Sequence, residues 1–268
     1  ETGVPDKQDE QDFLWAFPSV FGGNFRKGEA LRMKILAIES SAGPASCAVM
    51  EDGRLLATAG AHTGLTHSQT LIPMVDSMLK NAAISFDDID LLAVAAGPGS
   101  FTGVRIGVAA AKGLAFARNT LCVGVSTLAA MARLAEGLPF DGIVCAAMDA
   151  RCRQVYTALF ACENGRVSRL TPDEALSLDD LEKHLLSTKK SIFLVGDGAE
   201  LCYNTFGNHM PGVVLAPPHL RYQQAVGVAA EAAAGPEQAV SAERLQPVYL
   251  RLPQAERELR ARQGLAQA

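Results

Sequence analysis

The chain has 268 residues, 49% of them hydrophobic and 20% charged, with a formal net charge of −5 and a pI of about 5.6. That length buries a real core and divides into two modest domains. The acidic balance argues against a chain that holds RNA or DNA by itself, and no uninterrupted apolar run is long enough to cross a bilayer.

Residues 1–12 are polar and mostly acidic, and FLWAFPSVFGGNF follows with Trp15 and a phenylalanine every fourth residue, Phe13, Phe17, Phe21 and Phe25. Pro18, Gly22 and Gly23 argue against a continuous helix there. A secretory signal is not expected, because the basic start and the small-residue cleavage site are missing. At Met33 the texture changes to MKILAIESS. Met33 is therefore read as the functional start, and residues 1–32 as an extension outside the core fold. The alternative is a segment that docks through its aromatics.

KILAIESS (34–41), ASCAVM (45–50) and RLLATAGAH (54–62) are three strands joined by short turns, an antiparallel meander. HSQTLIPMVDSMLKNA (67–82) places Leu71, Met74, Val75, Met78 and Leu79 on one helical face. Ser68 or Thr70 is expected to cap it, with Pro73 in or near the first turn. DLLAVAAGPG (90–99) is a buried strand that runs into the loop GPGSFTG, and a helix, the strand LCVGVST (121–127) and the helix LAAMARLAEG follow.

A second half begins near Leu138. GIVCAAMDA (142–150), QVYTALFA (154–161) and SIFLVGDGA (191–199) read as strands. TPDEALSLDDLEKHLL (171–186) reads as a loop and a helix capped by Thr171 or Asp179. YQQAVGVAAEAAAG (222–235) is a helix, LQPVYLRLPQA (245–255) an extended piece and ERELRARQGLAQA a charged tail. Both halves open with strand pairs, which points to a weak internal duplication. The expected domains are 33–138 and 139–255, with the last segment able to pack back on the first and 256–268 as the tail. Strand meanders followed by alternating helices and parallel strands describe an α/β protein with mixed sheets, the order of the actin-like, sugar-kinase-like and Hsp70-like superfamily.

The loop of Gly97, Gly99 and Ser100 has neither Walker A nor dinucleotide spacing. It either cradles an anion with backbone N–H groups or lets the chain turn sharply into a helix. In that helix Gly103, Gly107, Ala111 and Ala115 form a stripe of nearly bare backbone, with Val108 beside it. The stripe admits another helix closely, or packs on its own sheet. A bulky residue at Gly107 is accordingly expected to break a partner contact without unfolding the chain.

His67 has no second ligand at helical spacing, so a metal pair is not expected. Glu39 ends the first strand next to Ser40 and Ser41, where an actin-like ATPase keeps an acid for magnesium. The nucleotide-proximal candidates are thus Glu39, Ser40, Ser41, Gly97, Gly99 and Ser100. Asp149 is expected to pair with Arg151 and Arg153 at the surface. No serine–histidine–acid triad is identifiable. The six cysteines, Cys47, Cys122, Cys145, Cys152, Cys162 and Cys202, form no CxxC pair, and most sit in apolar runs. They read as small buried hydrophobes in a reducing cytoplasm.

Taken in order, ILAIESS, HSQTLIPMV, AAGPGSFTGVRIG, MDARCRQVY and PVYLRLPQA resemble the TsaB (YeaZ) family from Met33 to about Ala255. The resemblance implies the actin-like two-domain fold and kinship with TsaD, the catalytic subunit that transfers a threonylcarbamoyl group to the adenosine beside the tRNA anticodon. TsaD holds its metal with HxxxH; here HSQTL keeps His67 and has Leu71 in the second place. The resemblance further implies a cytoplasmic, non-catalytic subunit without metal or cofactor of its own. It would bind TsaD through its first two helices, residues 68–81 and 103–117, and be joined by the ATPase TsaE. Expected partner-interface residues are His67, Leu71, Met74, Val75, Met78, Gly103, Gly107, Val108, Ala111 and Ala115. ATP or ADP would belong to the assembled complex, tRNA would be reached only through it, and a homodimer is allowed when TsaD is absent. The alternative is a self-sufficient enzyme in which Glu39, Asp149 and the Gly-rich turns converge on Mg-ATP. A peptidase is a third reading without a visible nucleophile and base.

Overall fold

The computed structural model describes residues 33–251. The aromatic segment 13–25, the role assigned to residues 1–32 and the charged tail lie outside the described residues.

The first sheet begins as an antiparallel meander of β1 (Lys34–Glu39), β2 (Ala45–Glu51) and β3 (Arg54–Ala61), with Ile38 opposite Cys47 and Val49 opposite Ala57. The β2–β3 turn is made by Asp52 and Gly53, both at positive φ, 49° and 76°, as a two-residue hairpin requires. Next to β1, β4 (Leu91–Gly97) and β5 (Leu121–Ser126) run parallel, giving the order β3-β2-β1-β4-β5. The central parallel pair, β1 and β4, is buried on both faces and accordingly reads as continuous apolar runs.

The second sheet repeats the plan. β6 (Gly142–Asp149), β7 (Gln154–Glu163) and β8 (Arg166–Arg169) are antiparallel, and β10 (Ile192–Val195) and β11 (Val213–Leu215) run parallel to β6. The order is β11-β10-β6-β7-β8, with β9 (Glu174–Ser177) on β7. The two halves are therefore present as two related mixed sheets.

Helices fill three layers. α1 (His67–Asn81) and α2 (Phe101–Phe116) cover the outer face of the first sheet, where Leu71, Val75, Met78, Val104 and Val108 meet Leu36, Ile38 and Val94. α4 (Leu178–Thr188) and α5 (Ala199–Cys202, continuing as a π-helical turn over Tyr203–Gly207) cover the outer face of the second. Between the sheets lie α3 (Thr127–Arg133) and α7 (Ala225–Ala234), preceded by the short α6 (Pro218–Arg221). Leu128 and Met131 of α3 pack on Val144 and Met148 of the second sheet. Ala225, Val228, Ala229 and Ala232 of α7 pack on Ile35, Ala37 and Ala48 of the first.

Segments late in the sequence pack into the first sheet's cores. α7 is late in sequence, yet it fills the core under β1 and β2. Leu245 is buried in the first half's outer core, and the Val248 N–H donates to the Ala96 carbonyl at 2.7 Å. The stretch 245–250 is held as a strap by such bonds and forms no strand.

Several local expectations are corrected. The N-cap of α1 is Thr66 without a side-chain cap, so neither Ser68 nor Thr70 caps it. Pro73 stands in the second turn, on the exposed face, where water can serve the carbonyl that loses its partner. α4 is capped by Ser177, whose Oγ accepts the Asp180 N–H at 3.1 Å, and not by Thr171 or Asp179. β8, β9, β11, α5 and α6 are too short for periodicity to reveal.

Candidate functional site

The glycines of α2 are answered by the chain itself. The turn after β1 lies against the start of α2: Ser40 Oγ donates to the Gly103 carbonyl at 2.9 Å, and the Ser100 N–H donates to the Ser41 carbonyl at 2.7 Å. A Cβ at Gly107 would stand 2.5 Å from Ser40 Oγ and 3.3 Å from Val94, and one at Gly99 2.5 Å from the Ser41 carbonyl. A side chain at Gly103 would strike the Ser40 carbonyl, and one at Gly97 the Val248 carbonyl. Ser100 caps α2, its Oγ accepting the Gly103 N–H. The loop therefore forms the socket for the Ser40–Ser41 turn.

Of the expected partner residues, Leu71, Val75, Met78, Gly103, Gly107, Val108, Ala111 and Ala115 are buried within the chain. As direct partner contacts these eight are corrected: apolar and bare positions at helical spacing are used up by the chain's own sheet and turn. His67 and Met74 are half-buried. His67, the first residue of α1, sets its Nε2 at 2.8 Å from the Ala42 carbonyl. Leu71 points into the core. The faces left to a partner are the opposite ones, with Ile72 on α1 and Arg105, Ala109, Gly113 and Phe116 on α2; Phe116 is 75% exposed. A Cβ at Gly113 meets nothing within 4 Å. At the head of α2 the Arg105 guanidinium lies 4.6 Å over the Phe101 ring, whose neighbour is the Tyr249 ring at 4.7 Å.

The nucleotide-proximal candidates do come together, at the C-terminal end of β1 and β4. Glu39 is wholly buried, and its Oε1 accepts the Ser41 N–H at 2.6 Å. Burial, aided by the charge of Asp197, pushes its carboxyl up from 4.5 to about 7 against the hydrogen bonds of Ser41 and Ser40. Asp197 lies in the Gly196–Gly198 turn after β10, so this pair spans the two sheets. It is raised by burial and by Asp149, while Gln223 and Arg151 oppose the shift. Gln223 Nε2 donates to Asp197 Oδ1 at 2.7 Å. Asp197 is visible in the sequence as the centre of a GDG turn. Gln223 carries no motif, and only the placement of α7 brings it to the cleft.

Asp149 is paired as expected with Arg151, accepting its N–H at 2.8 Å and standing 3.7 Å from its guanidinium. Arg153 pairs with Asp179 instead. No group of three His, Cys, Asp or Glu side chains able to hold a metal occurs among the described residues. Cys47, Cys122, Cys145, Cys162 and Cys202 are buried, and burial pushes the Cys145 thiol up to about 12. Cys152 is the exception: it is exposed, at φ 53°, between Arg151 and Arg153 in the β6–β7 turn. Among the described residues no helix is long and apolar enough to cross a membrane.

A family model described as TsaD, tRNA N6-adenosine threonylcarbamoyltransferase, matches residues 62–256. The chain is 34% identical over 169 residues to the tRNA threonylcarbamoyladenosine biosynthesis protein TsaB of Bacillus subtilis, covering 63% of this chain and 73% of that protein. With TsaB of Haemophilus influenzae the identity is 30% over 194 residues, covering 69% and 80%. The solved structure of YeaZ from Pseudomonas aeruginosa superposes with a TM-score of 0.67 at 29% identity, covering 81% of this chain and all of that one.

Proposed function

The chain belongs to the TsaB (YeaZ) family, and from that premise we propose that it serves tRNA threonylcarbamoyladenosine formation as a non-catalytic subunit that binds and activates the transferase TsaD. The observation that carries this reading is the pair of neighbouring helices α1 and α2. Their inner faces are consumed by the chain's own core, while their outer faces present Ile72, Ala109, Gly113 and Phe116 to solvent. A small-residue outer ridge flanked by exposed apolar side chains is suited to close helix packing against a second protein. TsaD, whose family model matches this chain, supplies a partner of related architecture.

In the same reading the ATPase TsaE joins the pair, ATP or ADP is bound by the assembly, and tRNA is engaged through TsaD, in keeping with the net charge of −5. A homodimer through the same helices would compete with TsaD. The work is done in the cytoplasm, where tRNA is modified.

The test is light scattering of this chain mixed with TsaD of the same organism. The expected result is one mixed species, lost in Gly113→Trp and Ala109→Arg, with both variants still folded by circular dichroism. Separate peaks with the wild-type chain, in the presence of nucleotide and TsaE, would overturn the reading.

A further inference from the structure

We propose that Arg105, clamped over Phe101 at the head of α2, is the charged anchor of the partner face and receives a carboxylate side chain of TsaD; this rests on the reading of TsaD as the partner. Phe101, Arg105, Ala109 and Gly113 recur every four residues and share one side of α2. Ala109 and Gly113 are exposed and nearly bare, and Arg105 is exposed at the N-terminal end of the same ridge. Its guanidinium carbon lies 4.6 Å from the centre of the Phe101 ring, within reach of a cation–π contact. The Tyr249 ring braces Phe101 from 4.7 Å, tilted by 30°. Tyr249 belongs to the strap, which the buried Leu245 and the bond from the Val248 N–H to the Ala96 carbonyl hold in place. Two segments far apart in the sequence thus fix one arginine.

A free surface arginine loses rotamer freedom when it binds. Here folding has already taken much of that freedom, so less is lost on association. A guanidinium stacked by its face keeps its N–H edge for a planar acceptor with two oxygens. The chain does not supply that acceptor. Arg133 and Arg169 meet carboxylates of their own chain, whereas Arg105 meets none among the described residues. Nor does a positive charge early in a helix gain from the helix dipole. An acid on the partner completes the pair. Tyr249 and its neighbour Val248 are 40% and 51% exposed, apolar surface able to shield such a pair from water.

The experiment is titration calorimetry of the full chain with TsaD of the same organism, at about 50 and 300 mM salt. Arg105→Ala is expected to bind about thirtyfold or more weakly than the wild type, and with a smaller dependence on salt. Arg105→Lys keeps the charge but neither the fork nor the stacking, and should recover only part of the loss. Tyr249→Ala keeps the arginine but removes its brace, and should weaken binding several-fold. Circular dichroism checks that each variant is folded.

Binding of Arg105→Ala within about twofold of the wild type would overturn the anchor and leave the partner reading standing. So would Arg105→Lys equal to the wild type, since a point charge would then suffice. Failure of the wild-type chain itself to bind TsaD would overturn both.

Discussion

Ser40 Oγ and the Gly103 carbonyl meet at 2.9 Å, and this bond joins the turn after β1 to the first turn of α2. It explains a glycine pattern that otherwise resembles a partner interface. The helix is bare on that side because its own chain passes there. The side that stays open is turned roughly half a circle away, at Ala109 and Gly113.

Two glycines of one helix should therefore behave oppositely. Gly107→Ala is expected to destabilise the chain by about 1–3 kcal/mol, because the added methyl overpacks against Ser40 and Val94. Gly113→Ala should stabilise it by about 0.5–1 kcal/mol, since it gains helix propensity in open space. Urea denaturation separates the two.

Global stability should depend on pH through Glu39. Its carboxyl sits near 7 in the folded chain against an ordinary 4.5, so between those values the folded state holds a proton that the unfolded state has lost. Stability is full below about 4.5 and falls as pH rises through 7, by on the order of 3 kcal/mol in this group's contribution. Melting curves of the wild type and Glu39→Gln across that window should diverge, with the variant the more stable of the two above pH 7.

Ser126 does two jobs where α3 begins. Its Oγ accepts the Ala129 N–H at 3.1 Å as the N-cap and donates to Asp173 Oδ2 at 2.6 Å, tying the end of β5 to the loop before β9. Ser126→Ala should cost about 1–2 kcal/mol. Asp173→Asn should cost less, because the cap survives. Paired chemical denaturation curves decide the order.

Thiol labelling should find one cysteine in the native chain. Cys152 is exposed, whereas the other five are buried. A native titration with a thiol reagent is expected to modify one residue quickly and all six of the sequence after unfolding. The fast site should vanish in Cys152→Ser.

The elements legible in advance were those with enough residues to show a period. The inward face of α1, from Leu71 to Leu79, follows directly from apolar spacing, and so do the long strands of both sheets. Ser177 was missed as a cap because Thr171 and Asp179 compete for the same role on composition alone. Four-residue pieces such as β8 and β9 take their form from the neighbour they pair with, and no local pattern records that neighbour. Gln223 reached the cleft unannounced for the same reason.

The sequence by itself determined the family, the mixed-sheet architecture and the meeting of Glu39, Ser41 and Gly99 at one end of the first sheet. Each is written in patterns of apolar spacing, turn residues or contiguous motif. Only the tertiary structure decided which face of α2 remains free, that α7 belongs under the first sheet, and that Glu39 is wholly buried. A stripe of small residues signals close approach but not what approaches. Burial, which sets the proton affinity of Glu39, depends on segments more than 150 residues distant in the chain.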